Sequence, residues 1–316
     1  MHEPALPPGR ETGQPGQPGD AEAGIEGAGA MRLLDRRALR GWPLPQADHG
    51  ADKEDRGQVL VVAGSREIVG AALLSATAAL RAGAGKLTIA TAASVAPGLA
   101  LLIPEARVVA LPETPAGGLR HDGADLLADC AARSAAVLVG PGLLDSAGSS
   151  EFVLDLLSRL KDVPVILDAL AMDALLQSPP FAQPVLITPH AGEMAHLSGQ
   201  RKDDVQADGP ALAREMARRH NAVIALKGPT TFIVSPDGGA WRHVSGNAGL
   251  GTSGSGDVLA GIMVGLAARG APLAQAAAWG VVVHALAGKR LADRHGRVGF
   301  LARELLAQIP AVLHGL

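Results

Sequence analysis

The sequence has no tyrosine, one cysteine, four phenylalanines and three tryptophans. With so few rings, the interior must be built from Ala, Val, Leu and Ile, and 47% of the chain is hydrophobic. The single thiol, Cys130, excludes an internal disulfide framework and a cysteine-rich metal site. It fits a reducing cytoplasm, which is the expected compartment. No uncharged apolar run approaches the roughly 20 residues that a bilayer-spanning helix needs. A net charge of −3 gives no basic surface for nucleic acid or an anionic membrane. What remains is a chain of 316 residues, enough for one large α/β domain or two small ones.

The beginning is short of anything to bury. "EPALPPGRETGQPGQPGDAEAGIEGAG" is rich in Pro, Gly and acid. Residues 1–50 are therefore expected to be a disordered extension, with residues 51–316 as one catalytic domain. The extension lacks the basic start and apolar run of a signal peptide. Within it, Met31 opens "MRLLDRRALRGWPLP", which has more the character of a structured start.

From Gln58 onward the pattern is regular. "QVLVVAG" (58–64), "KLTIAT" (86–91), "AAVLVGPG" (135–142), "VPVILDA" (163–169) and "QPVLITPH" (183–190) are short apolar runs that read as strands. Helices are predicted over 70–85, 149–162, 256–269, 272–292 and 301–308, and two or three antiparallel strands over 221–244. Apolar strands alternating with helices predict an α/β fold: a mostly parallel central sheet covered on both faces, hence three layers. Ligands in such sheets bind beyond the carboxyl ends of the strands, where this chain places Gly, Asp, Pro and His.

Three glycine-rich readings compete. A P-loop at "RAGAGKLT" (81–88) fails because Leu80 and Leu87 stand where Gly and Ser or Thr are required. A dinucleotide fingerprint fits "GLGTSG" (249–254) by letter only. It lies late in the chain, and no acid occurs between Asp257 and Asp293. The third reading takes Gly254-Ser255-Gly256-Asp257 as a helix start built for an anion. Free N–H groups and the helix dipole favour negative charge there, and glycines let oxygens approach. Asp257 at the rim could take a proton from a hydroxyl as a neighbouring phosphate receives the oxygen. The competing reading is an Asp that merely favours a helix start.

"NAGLGTSGSGDVLAGIMVGLAARG" (247–270) resembles the signature of the ribokinase-like superfamily, and within it the NAD(P)H-hydrate dehydratases. "AGSREIVGAALLSATAALRAGAGKLTIAT" (63–91), "LVGPGL" (138–143), "ITPHAGEMAHL" (187–197) and "LKGPT" (226–230) are similar to further blocks of that family in the same order. The resemblance covers roughly residues 50–310. It implies a ribokinase-like three-layer sandwich that repairs hydrated NADH or NADPH. An ADP-dependent phosphoryl transfer to the ring hydroxyl would be followed by loss of phosphate, with ATP as an alternative donor. Hydroxide leaves poorly and phosphate leaves well, so the order is chemically sound. Mg²⁺ and a homo-oligomer, a tetramer among the options, are further implications.

Carried over position by position, Asp257 is implied as the base on the hydrate hydroxyl. Gly70, Ala71, Gly140, Gly142, His190 and Glu193 are implied on the substrate side. Lys227, Gly228, Pro229, Thr230 and Thr231, with Gly254, Ser255 and Gly256, are implied to hold the nucleotide. Glu193 is implied to orient a Mg²⁺-bound water. Each has a plain competitor. Lys227 could be a solvated strand-end lysine, His190 a helix cap, "GPG" a tight turn, and Glu193 an acid favoured in a first helical turn.

The chain departs from the family where Asp168-Ala169-Leu170 replaces Asp-Ala-Asp, so Asp168 must serve alone. Ser253-Gly254 stands where Gly-Gly is usual. The chain is too short for the epimerase domain that many relatives carry fused. The runner-up is a ribokinase-like small-molecule kinase of hydroxymethylpyrimidine or thiazole type, which would leave a stable phosphate ester. "TPHAGEM" (188–194) favours the dehydratase. A nucleotide-binding regulator without turnover is a third class.

Overall fold

The computed structural model describes residues 31–46, 52–144, 147–178 and 180–316, and the expectation for residues 1–30 lies outside them. Ten strands form one sheet. They are β1 (Arg32–Leu33), β2 (Gln58–Val62), β3 (Lys86–Ala92), β4 (Ala106–Leu111), β5 (Ala136–Val139), β6 (Val165–Leu167), β7 (Val185–Ile187), β8 (Ala222–Leu226), β9 (Thr230–Val234) and β10 (Ala240–Val244). The spatial order is β1-β10-β9-β8-β7-β6-β5-β2-β3-β4. Every neighbouring pair is parallel except β8–β9 and β9–β10, so 221–244 holds three antiparallel strands. The order reverses between β2 and β5, with Val59 paired to both Leu87 and Ala136. A crevice opens at such a reversal beyond the strand ends.

Ten α-helices accompany the sheet among the described residues. They are α1 (Arg36–Arg40), α2 (Val69–Arg81), α3 (Ala96–Leu102), α4 (Ala128–Ala132), α5 (Ala147–Arg159), α6 (Ala191–Ser198), α7 (Lys202–His220), α8 (Ser255–Ala268), α9 (Leu273–His295) and α10 (Ala302–His314). Side chains alternate faces along a strand. Val59 and Val61 of β2 accordingly enter one core with α2, α8, α9 and α10, while Leu60 and Val62 enter a second with α5, α6 and α7. Both faces are covered, which is why the strands read as unbroken apolar runs. No described helix is long and apolar enough to cross a membrane.

Helix α8 carries its glycines for contact with α2. A Cβ at Gly261 would lie 2.2 Å from Ser75 O, and one at Gly265 would lie 2.5 Å from Ala79 O. Against the small residues of α2, the two backbones approach more closely than side chains would permit. A core poor in aromatics is thus filled by bringing helices together.

Residues 31–46 correct the disordered extension drawn to residue 50. Leu34, Leu39 and Leu44 are buried, β1 pairs with β10, and Trp42 stacks on Trp241 with ring centroids 5.2 Å apart. Trp279 Nε1 donates to Trp42 O at 2.8 Å, and Gln275 Nε2 to Pro43 O at 2.9 Å. These contacts fix the segment to α9, and Met31–Leu316 clusters as one compact unit. Smaller differences concern ends: the helix predicted over 70–85 stops at Arg81, and the one predicted over 301–308 runs to His314.

Candidate active site

The carboxyl ends of β6, β7 and β8 bring three charged groups together. Asp168 follows β6, His190 and Glu193 begin α6 after β7, and Lys227 follows β8. Lys227 N–H donates to Pro189 O at 2.7 Å, which locks the ends of β7 and β8 side by side. Lys227 Nζ lies 3.1 Å from Asp168 Oδ1 and 3.8 Å from Glu193 Oε2. Asp168 is 3% exposed, and its Oδ1 also accepts from Thr188 Oγ1. A buried carboxylate needs such partners. The lysine is therefore held, not solvated.

Asp257 completes the group from the first turn of α8. Burial above all, together with the Asp168 charge, pushes its carboxyl from the usual 3.8 up to about 6, with Lys227 acting the other way. Burial works against the Lys227 ammonium, but Asp168, Glu193 and Asp257 outweigh it and raise its pKa. The arrangement sets one lysine among three acidic side chains. A carboxylate poised near neutrality can accept a proton and still release it.

Gly254 caps α8 at φ +85°, where a side chain would be strained, and no side chain caps the turn. The first-turn N–H groups have no acceptor within the helix. Gly256 faces a pocket of about 660 Å³ at this helix end. Lys227, Gly228, Pro229, Thr231, Ser255 and His190 line it too. Six predicted nucleotide residues thus share one cavity, with His190 at its edge. Thr230 does not line it, and Gly254 packs toward Leu74 and Ala302 instead.

The other predicted residues gather at the reversal of strand order. Gly140 has φ +127°, and a Cβ there would lie 1.8 Å from Asp168 O. A Cβ at Gly142 would lie 2.7 Å from Ala71 Cβ, so "GPG" seats the loop against α2 and β6. Gly70, at the start of α2, faces open space. Neither Asp168 nor Asp257 lines the nucleotide-side pocket; Lys227 lines it and, through its 3.1 Å contact with Asp168, links it to the Gly140 loop.

His190 and Glu193 form a reciprocal cap. His190 Nδ1 accepts from Gly192 N and Glu193 N, each at 3.0 Å, and Glu193 Oε2 accepts from His190 N at 2.7 Å. The capping competitor therefore holds for both residues, although both remain beside Lys227. No cluster of three or more His, Cys, Asp or Glu among the described residues could hold a metal. That fits Mg²⁺ only in its common nucleotide-bound form, where phosphates and water supply most ligands.

Several residues at the site carry weak sequence signals. Asn247, Ser245, Thr252, Leu250, Leu259 and His284 line the pocket, and Asn247 Oδ1 caps the turn by accepting from Gly249 N at 3.0 Å. Asn247 lies in the quoted signature block. His284 stands out in "WGVVVHALAG" as the lone titratable group of an apolar run. Leu170, in place of the family's second acid, packs against the second core.

The profile of the NAD(P)H-hydrate dehydratase family matches residues 59–311. The ADP-dependent (S)-NAD(P)H-hydrate dehydratase of Xanthomonas campestris is 47% identical over 289 residues, covering 90% of this chain and 97% of the relative. The bifunctional NAD(P)H-hydrate repair enzyme of Moorella thermoacetica is 40% identical over 91% of this chain, which spans 56% of that longer relative. Among solved structures, the ADP/ATP-dependent NAD(P)H-hydrate dehydratase of Bacillus subtilis, co-crystallised with ATP and Mg²⁺, matches with a TM-score of 0.79 at 33% identity. It covers 90% of this chain and 98% of its own. A family profile over most of the chain and a relative 47% identical over 90% of it show that the chain belongs to the NAD(P)H-hydrate dehydratase family.

Proposed function

We propose that this chain dehydrates hydrated NADH and NADPH, using ADP as phosphoryl donor and giving AMP and phosphate. The observation that carries the reading is Asp257. It lies at an uncapped helix start beside Lys227, with its carboxyl raised to about 6. The nucleotide phosphates lie against Lys227, Gly256 and the first turn of α8. The hydrate enters from the side of Gly70, Ala71, Gly140 and Gly142. Asp257 takes the proton of the ring hydroxyl as that oxygen attacks the terminal phosphorus, and AMP departs. The C–O bond of the resulting ester then breaks with its electron pair on phosphate. Loss of a ring proton restores the double bond. Positioning and charge stabilisation are the protein's contribution.

Mg²⁺ would be held chiefly by the nucleotide phosphates, with Glu193 as the carboxylate that would support it, and it would neutralise charge on the phosphates. ATP fits the same pocket as an alternative donor. The test is incubation of the protein with purified hydrate and ADP or ATP, following the near-ultraviolet absorbance of reduced nicotinamide and the release of phosphate. A stable phosphate ester without regenerated NADH would move the chain to the small-molecule kinases. Nucleotide binding without any product would make it a regulator.

A further inference from the structure

His284 sits midway along α9, in a run from Trp279 to Ala285 whose members are all buried. Packing on that face does not call for an imidazole, and a buried polar ring is costly unless hydrogen-bonded. Its Nε2 lies 2.9 Å from Ser255 Oγ. Ser255 is the first residue of α8 and is equally buried, and both residues line the pocket with Gly256 and Lys227. The pair joins the α9 core to the anion-facing turn.

The direction of this hydrogen bond follows from its surroundings. Burial, first of all, pulls the His284 ring down to about 4. The Lys227 charge acts the same way, and the Ser255 backbone opposes both. The ring is neutral near pH 7, with one N–H and one bare nitrogen. Were the bare nitrogen toward Ser255, the serine would commit its only proton to the ring and turn lone pairs toward a phosphate. With the N–H toward Ser255, Oγ accepts from the ring and its own O–H is free to donate to an anion. The first turn of α8 and the Lys227 ammonium both favour an anion, so the second arrangement is the one consistent with the site.

Resting on the phosphoryl-transfer reading above, we propose that His284 is a positioning residue: its ring N–H holds Ser255 Oγ so that the serine hydroxyl donates to a phosphoryl oxygen at the start of α8. Being uncharged, the ring adds a donor to the site without repelling Lys227. The function of the imidazole is thus to fix one hydroxyl, and it touches neither substrate itself.

The test compares kcat and KM for ADP and for hydrate in Ser255→Ala, His284→Leu, the double variant and His284→Gln. The glutamine amide N–H reaches about as far as the ring Nε2. Ser255→Ala and His284→Leu should each lower kcat about tenfold, the worth of one hydrogen bond to a charged group. The double variant should be within about twofold of Ser255→Ala, because one interaction is lost only once. His284→Gln should recover to within about threefold of the unmodified protein. The KM for hydrate should not move. If His284→Leu does not fold, His284→Asn, polar but too short to reach Ser255, replaces it with the same expectation. Multiplying losses in the double variant, or a folded His284→Leu or His284→Asn with unchanged kcat, overturns the inference alone. An unmodified protein that regenerates no reduced nicotinamide from hydrate and ADP overturns the functional reading, and this inference with it.

Discussion

Asp257→Asn should stabilise the protein while removing its activity. The carboxyl is raised from 3.8 to about 6 by burial and by Asp168, with Lys227 offsetting part of the rise. The sign follows from linkage. Below the unfolded value both states are protonated, and Asp257 imposes no penalty. As pH rises through about 6 the folded state must carry a carboxylate that its surroundings disfavour, so stability is lost. That rise in pKa corresponds to a ceiling of about 3 kcal/mol. Partial exposure of Asp257 and local relaxation reduce this to about 1–2 kcal/mol. For a domain of this size that is a rise in Tm of about 2–5 °C at pH 8, shrinking toward nothing at pH 4. Asparagine keeps the shape but accepts no proton, so single-turnover phosphate release at saturating ADP should fall about 10²–10⁴-fold. The assay therefore pairs melting curves at the two pH values with rapid-quench phosphate release. A rate within about threefold of the unmodified protein would show that another group accepts the proton. A lower Tm at pH 8 would show that the carboxylate is satisfied in the fold, contrary to its environment in the structure.

Unmodified protein should lose kcat/KM as pH falls through about 6, the value to which Asp257 is raised, and Asp168→Asn should move that acid limb to lower pH by removing a like charge; an unmoved limb would assign it to another group. Lys227→Met should weaken ADP binding about ten- to a hundredfold. It should also lower Tm, because Asp168 would be left buried without its 3.1 Å partner, and calorimetric titration with paired melting curves checks both effects. Gly140→Ala should destabilise beyond the usual range of about 0.5–3 kcal/mol, since a Cβ would lie 1.8 Å from Asp168 O; denaturant titration reads this directly. A chain starting at Met31 should melt like the full one. A chain starting at residue 51 loses Leu34, Leu39 and Leu44 from the core and should melt about 10 °C lower or worse.

The layers of the fold were legible where a strand is buried on both faces. Val59 to Val62 are fully buried, and such a run has one reading when glycines and helical patterns flank it. Legibility failed where the local signal is mixed. Helix α7 contains Pro210 and a non-helical Asp208, and its sequence "KDDVQADGPALAREMARRH" carries few apolar residues until its second half. Strand β4 is an edge, with "ARVVAL" only partly buried, so its alternation is faint. Strand β1 has two residues, and its place depends on Trp241 and Trp279, more than two hundred positions away. No window of local sequence contains that information.

The site divides along the same line. The helix start at Gly254 to Asp257 was legible because the glycines and the acid that open it are adjacent residues. Lys227 stood out through the resemblance of "LKGPT" to a family block, and its local sequence alone reads as a strand-end lysine. What fixes its Nζ is Asp168, fifty-nine positions earlier, together with Thr188 behind it. The loss of the family's second acid to Leu170 raised doubt at that strand end. In the structure Asp168 makes the 3.1 Å contact with Lys227, while the partly buried Leu170 packs against the second core. The strand end thus carries two separable demands, a buried anion for the lysine and an apolar plug for the layer beneath. One acid satisfies the first demand. At Leu170 a partly buried leucine covers that layer, and the contact of Lys227 with Asp168 does not involve it.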